Sequence, residues 1–386
     1  MNFLNFPDWI LTDLTEHSSS YFLRAIYQSA RVRCSRCLSS EENYQKYGVR
    51  LKNIKDAPVR GKTVSILLKI QRYKCLKCNL TFQAEVSELI DDSRFTKRLI
   101  SYIEREAIKK SFLTVARETG VSESTVRNIF MNFIKEEGNL PVFETPTILG
   151  IDDVYINRVA CCILTDIEER RIFDILPGRQ METVYNYLIK LKDKENIEIV
   201  AMDMSRPFAS SVTDALPGAE IVIDTFHIQR MGNKSINIFL RDLRNSLNMS
   251  KRRLLLRDRF ILMKRSFSLD PQEKQLLSEW RAKLPALNKI YELKEEFFQI
   301  WRISNRADAE IAYSIWQEKI PVELRFVFQE ILTAFEGWEH QIFNYFDYKV
   351  TNAFTESANN LVKNFQKQAR GCSFEVVRAK ALCRYL

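Results

Sequence analysis

Residues 147–224 read TILGIDDVYINRVACCILTDIEERRIFDILPGRQMETVYNYLIKLKDKENIEIVAMDMSRPFASSVTDALPGAEIVID. Five short apolar runs rich in β-branched residues punctuate this stretch: ILGID, VACCILTD, RIFDIL, IEIVAMD and AEIVID. Gly, Pro and charged turns bound them, which is the pattern of buried strands. Between the third and fourth runs, METVYNYLIKLK places Val184, Leu188 and Leu191 at helical spacing. The expected order is strand, strand, strand, helix, strand, helix, strand. Two of these strands are expected to end in carboxylates, Asp152 and Asp203. An acid at a strand end is held by rigid backbone at the edge of a cleft, which is what a metal site needs.

That order is the one found in RNase H-like mixed sheets, and composition limits what can surround it. A chain of 386 residues with 46% hydrophobic content can bury a large core and divide into several modules. The formal charge of +9 suits an anionic partner. No run reaches the roughly 18 apolar residues of a membrane span. The opening MNFLNFPDWILTDLTEH carries acids among its apolar residues, unlike a secretory leader. Four of the eight cysteines form CxxC pairs, which points to metal ligation in a reducing, cytoplasmic setting rather than to disulfides.

Outward from the central stretch, residues 1–30 are expected to form a short helical arm. Residues 31–88 read as a zinc ribbon: Cys34 and Cys37 in RVRCSRC, Cys75 and Cys78 in YKCLKC, and a β-rich hairpin between them. Residues 31–80 hold 13 Lys/Arg against 3 Asp/Glu, a net +10. A basic ribbon of this kind is suited to phosphate contact. Residues 92–138 read as a helix-turn-helix, with Gly120 supplying the left-handed turn residue and Ser122 the cap of the third helix. That helix would present Ser124, Thr125 and Arg127 to a groove. GNLPVFETPT then links into the core at residue 147.

Residues 147–232 form the first part of the expected core. Residues 233–345 carry no strand signal and read as an all-α insertion. Residues 230–265 there hold 11 Lys/Arg and 2 Asp/Glu, a net +9. Trp280, Trp301, Trp316 and Trp338 are expected to pack helices together, and Cys161 and Cys162 to be small core residues. Residues 346–386 return to the core with Glu356 early in a helix. Ala358, Leu361, Val362 and Phe365 mark its packed side; Asn352, Asn359, Lys363 and Lys367 mark a side expected to face nucleic acid.

Five motifs now stand in order: LGIDD, PGRQMETV, AMDMSRPF, IVIDTFHIQR and TNAFTESANNLVKNFQKQARG. Together they resemble the first-aspartate, arginine-turn, second-aspartate, DxFH and glutamate motifs of the ISL3 family of bacterial DDE transposases. Asp153 stands where that family usually has Glu, and Ser357 where Gly is common. The resemblance implies a multidomain α/β protein: zinc ribbon, helix-turn-helix, and an RNase H-like catalytic domain interrupted by an all-α insertion. It implies Asp152, Asp203 and Glu356 as catalytic carboxylates holding two Mg²⁺ or Mn²⁺ ions, Asp152 bridging both, with one structural Zn²⁺ on the four cysteines. Arg179, Asp224 and His227 are accessory candidates; Lys363 and Lys367 join Ser124, Thr125 and Arg127 as DNA contacts. The expected partners are terminal inverted repeats and target DNA, bound by a homodimer or larger assembly in the bacterial nucleoid. The competing expectation is a catalytically silent DNA-binding regulator derived from such an enzyme, and a nuclease or recombinase without transposition would share the metal site.

Overall fold

A computed structural model describes residues 5–28, 33–38, 41–90, 93–136, 138–243, 249–368 and 371–385. The chain divides into two compact units, Met1–Val142 with Asn364–Leu386, and Phe143–Lys363.

The first unit opens with five strands: β1 (Trp9–Glu16), β2 (Ser20–Tyr27), β3 (Tyr44–Val59), β4 (Lys62–Cys75) and β5 (Thr81–Gln83). They form one sheet in the order β1-β2-β4-β3, with β5 also paired to β4. Residues 9–27 are therefore a β-hairpin, not the helical arm expected. The physical reason is visible in β2, where Tyr21, Leu23, Ala25 and Tyr27 are buried at alternate positions against β4. β1 hid the pattern: a register shift between Leu11 and Asp13 breaks its alternation, and Ile10 and Leu14 stay exposed.

Three helices follow: α1 (Lys97–Lys109), α2 (Phe112–Thr119) and α3 (Glu123–Lys135). Thr96, Ser111 and Ser122 cap them, each hydroxyl accepting from the backbone N–H three residues on. Gly120 ends α2 at φ 69°, the left-handed geometry that sets the turn. The sheet is tied to α1 through Asp56, which is fully buried and accepts from Thr96 Oγ1 at 2.6 Å and Arg98 Nε at 2.7 Å.

The second unit carries β6 (Ile148–Ile156), β7 (Val159–Asp166), β8 (Arg171–Leu176), α4 (Met181–Leu188), β9 (Ile199–Met202), α5 (Arg206–Ala215) and β10 (Glu220–Ile223). Its sheet runs β10-β9-β6-β7-β8; β6, β7 and β8 are antiparallel, while β9 and β10 join parallel to β6. Next come α6 (Thr225–Leu243), α7 (Met249–Met263), α8 (Pro271–Lys283), α9 (Pro285–Ile300), α10 (Arg306–Glu318) and α11 (Arg325–Tyr348). Among the described residues from 225 to 348, every named element is helical. Trp316 and Trp338 are buried and Trp280 and Trp301 half-buried, so all four pack helices. α11 bends at Trp338, where Arg206 Nη2 donates to the Gly337 carbonyl at 2.9 Å. α12 (Ala353–Gln368) brings Glu356 to the sheet, and α13 (Phe374–Leu382) closes the chain.

Where the sequence suggested that the core runs to residue 386, α13 packs on α1 and α3 of the first unit. Buried Lys380 donates to the Lys110 carbonyl at 2.7 Å, with its ammonium 4.8 Å from the Phe112 ring. Burial lowers that lysine to about 8.

Candidate functional site

The sheet register brings the first two acids together. Ile151 pairs with Met202 at the last step of the parallel ladder, so Asp152 and Asp203 are the next residues along the two neighbouring strands. Asp152 is not at a strand end as expected, because β6 continues to Ile156 in its hairpin with β7. It is β9 that stops, and the opening this leaves is where the acids meet. Asp224 directly follows β10 and is buried. The ligand atoms of Asp203, Asp224 and His227 lie within 4.8 Å of one another. His227 Nδ1 is 2.9 Å from Asp203 Oδ1 and 3.4 Å from Asp224 Oδ2.

The electrostatics follow from this crowding. Burial, then the Asp203 charge, raise Asp152 to about 7. Glu356 is also raised, first by burial and then by Asp224, with Asp203 contributing further. The carboxylates of Asp203 and Asp224 hold the His227 imidazole protonated up to about 10, against the opposing effect of burial. Asp203, Asp224 and His227 thus form the tight centre of the site, and Asp152 and Glu356 lie near enough to feel its charge. Asp203 Oδ1, Asn352 Oδ1 and Asn359 Oδ1 are buried here without a hydrogen-bond donor; the 2.9 Å approach of His227 to Asp203 is an ion pair without hydrogen-bond alignment. Carboxylate and amide oxygens lacking donors are the donor set of a hard divalent cation such as Mg²⁺ or Mn²⁺, and the residues fit one. Asp152, Asp203, Asp224 and Glu356 could hold it.

Two asparagines missed as site residues arrange this cluster. The sequence reading put Asn352 and Asn359 on a nucleic-acid face, yet both are buried. Asn352 donates from Nδ2 to the Ile151 carbonyl at 3.1 Å and from its backbone N–H to Asp224 Oδ1 at 3.3 Å. Asn359 Nδ2 donates to Asp152 Oδ2 at 2.6 Å and to the Asp153 carbonyl at 3.1 Å. Their offsets from Glu356, four before and three after, put all three on one helix face, and that spacing was the available signal. Gly150 permits the approach. A Cβ there would lie 2.3 Å from the hydroxyls of both Thr165 and Thr355, which bond to each other at 2.7 Å. Gly150→Ala should therefore displace α12 and lower the unit's stability by about 1–3 kcal/mol. A melting curve of the variant checks this, and an unchanged Tm would contradict it.

Arg179 forms an ion pair with Asp153, which turns that second aspartate away from Asp203. Lys363 is exposed in the second unit and Lys367 in the first. On α3, Ser124 is exposed and Thr125 half-buried, both bonded to the Ser122 hydroxyl. Arg127 is drawn inward: its guanidinium lies 5.2 Å from the Phe112 ring, 3.3 Å from Glu123 and 4.0 Å from Cys372 Sγ.

The four paired cysteines also meet. Cys34 and Cys78 sulfurs are 3.5 Å apart, as are those of Cys37 and Cys75, and all four lie within 4.8 Å. A tetrahedron of Zn–S bonds of about 2.3 Å has edges of roughly 3.8 Å, so the cluster has the size of a zinc site. The two loops are copies: Leu38 N–H donates to the Cys34 carbonyl at 2.9 Å and Asn79 N–H to that of Cys75 at 3.0 Å. Leu38 and Asn79 are both left-handed, at φ 57° and 62°. Tyr44, Tyr73 and Phe82 pack around the sulfurs.

A family model described as "Transposase" matches residues 149–381, and one described as "Helix-turn-helix domain of transposase family ISL3" matches residues 91–134. Among curated proteins, the transposase for insertion sequence element IS1001 of Bordetella parapertussis is similar. It is 22% identical over 334 residues, covering 85% of this chain and 82% of the relative.

Proposed function

Because this chain belongs to the ISL3 family of transposases, we propose that it binds the terminal inverted repeats of its own insertion sequence, cuts the strands there and joins them to target DNA. The observation that supports the reading is the tight cluster of Asp203, Asp224 and His227, whose charges also reach Asp152 and Glu356 and, with burial, raise both. A protein that only binds DNA has no use for so many acids crowded at one place, which costs stability until a cation answers them.

The sheet order β10-β9-β6-β7-β8 supports an RNase H-like core, and the helices between Asp224 and Asn352 support an all-α insertion within it. Asp152, Asp203 and Glu356 would be the catalytic ligands, with Asp224 beside them. Two Mg²⁺ or Mn²⁺ ions held there supply activation of the attacking oxygen and stabilisation of the leaving one. The chain's own residues set the geometry. Asn359 and the Asp153 backbone N–H each donate to one oxygen of Asp152, fixing the plane of its carboxylate. Asn352 fixes Asp224, and His227 spans Asp224 and Asp203. Arg179 pairs with Asp153 and offsets part of the charge that this second aspartate places beside Asp152. Zinc on Cys34, Cys37, Cys75 and Cys78 would close the N-terminal module, and the helix-turn-helix would read the repeat through Ser124 and Thr125. Assembly into a homodimer or larger complex on two ends is part of this reading.

The test is a supercoiled plasmid carrying the two ends of the element, incubated with purified protein and Mg²⁺. Breaks at the repeat boundaries and joined products are expected, and scrambling one end should remove both. Binding without any break, in Mg²⁺ and in Mn²⁺, would overturn the reading.

A further inference from the structure

A second site lies in the first unit, outside the carboxylate cluster. A cleft of about 370 Å³ opens between the β2-β4-β3 sheet and the turn into α3. Phe22 and Phe95 give it apolar sides, Asn53, Ser65, Ser122 and Thr125 line it as well, and Lys55 and Arg94 stand at it as cations. Phe22, Ser65 and Lys55 make one cross-strand row, since Ser65 pairs with both of the others. They therefore share a face. The Lys55 ammonium is lodged against the helix-turn-helix: a Cβ on Gly120 would lie 3.2 Å from its Nζ. The carboxylates nearby are engaged elsewhere, Asp56 by Thr96 and Arg98, Glu118 by Lys110, and Glu123 by Arg127. Among the described residues, neither Lys55 nor Arg94 has an acidic partner.

The charge continues beyond the cleft. Arg24 lies one row along from Phe22 on the same face, and Lys69 a further row along on β4. Same-face rows recur about every 6.8 Å. Arg24 and Lys69 are both exposed, and among the described residues neither pairs with a carboxylate. A line of unanswered cations running from a mostly apolar cleft fits a polyanion with an apolar component. It does not fit an acidic peptide as well, because the strand edge at the cleft is already taken: Lys55 N–H donates to the Arg94 carbonyl and the Lys55 carbonyl accepts from Thr96 N–H.

We propose that this cleft takes one sugar–phosphate unit of a DNA strand, its phosphate between Lys55 and Arg94 and its deoxyribose against Phe22 and Phe95. The strand then runs across Arg24 and Lys69. The sheet is thereby a second DNA-binding element that fixes where α3 enters its groove. The inference rests on the proposal that the chain binds terminal-repeat DNA.

The test measures binding of the full chain to a terminal-repeat duplex across a salt series. Lys55→Gln and Arg94→Gln are each expected to flatten the log–log salt slope by about one unit and to weaken repeat and random duplexes alike. Lys283→Gln removes an equal charge from an exposed ion pair in the other unit and should leave the slope unchanged. A scan of single methylphosphonates should find one position that weakens wild type but adds nothing to Lys55→Gln. This coupling separates a phosphate contact from lost folding, which would weaken binding to every duplex equally. Wild-type slopes in both variants, or additivity at every methylphosphonate, would overturn the site while leaving the proposed function standing. A wild-type chain that binds no duplex would overturn both.

Discussion

Replacing Asp152 by Asn is expected to slow cleavage at a terminal-repeat end by about a thousandfold or more, with duplex binding held within a few-fold. The substitution keeps the shape of the side chain and removes a carboxylate whose charge interacts with that of Asp203. Asp153→Asn is the control one residue away. Its carboxylate pairs with Arg179 at a half-exposed position, an interaction worth at most about 1 kcal/mol. Cleavage should then stay within about tenfold of wild type. Gel-based cleavage rates compare the two, and equal damage from both would mean that Asp153 also belongs to the site.

The same variant carries a signature independent of activity. An acid whose folded pKa is raised holds a proton that the unfolded chain has already released. Stability therefore falls as pH climbs from 3.8 towards about 7, and the deficit is complete above that. Without dications, Asp152→Asn should melt above wild type at pH 8, with the gap closing near pH 4. Mg²⁺ should raise the wild-type Tm and leave that of the variant almost unmoved. Thermal melts at the two pH values check this, and a variant that melts lower at pH 8 would contradict it.

Cys75→Ser, or removal of the metal by a chelator, is expected to unfold the cysteine end of the first unit and abolish repeat binding. Apparent zinc-binding free energies in small modules are about 10–16 kcal/mol, as large as the whole stability of a typical domain, about 5–15 kcal/mol. Among the described residues, the remaining core around the sulfurs is Tyr44, Tyr73, Phe82 and Leu80, too little to replace the metal. Protein purified without chelators should contain about one zinc per chain. A zinc-free chain that binds the repeat normally would contradict this.

The first two acids of the candidate site were legible because Asp152 lies in β6 and Asp203 directly follows β9, runs with strong local signals. ILGID and IEIVAMD are apolar runs whose place in a buried sheet follows from composition alone. The cap at Ser122 and the turn at Gly120 are equally local. What stayed illegible depends on partners distant in sequence. β2 becomes a strand through pairing with β4, some 40 residues on, and β1 then pairs with β2. Asn352 and Asn359 look like polar surface until β6 is placed beneath α12. The position of α13 against α1 and α3 turns on Lys380, a buried lysine that reads as a solvent residue in any local window. Arg127 has a groove-facing position on α3 but is held by Phe112, Glu123 and Cys372, the last 245 residues away.

The most direct measurement of the central claim is joining of a pre-cut terminal-repeat end to a supercoiled target by wild type and by Glu356→Gln, in Mg²⁺ and in Mn²⁺. Glu356 comes from α12, far along the chain from Asp152 and Asp203, so it tests whether the second unit assembles one site from distant segments. Wild type should produce joined product in both metals. Glu356→Gln should bind the end and give at most about a thousandth of that product. Joining by Glu356→Gln at the wild-type rate in either metal would contradict the account.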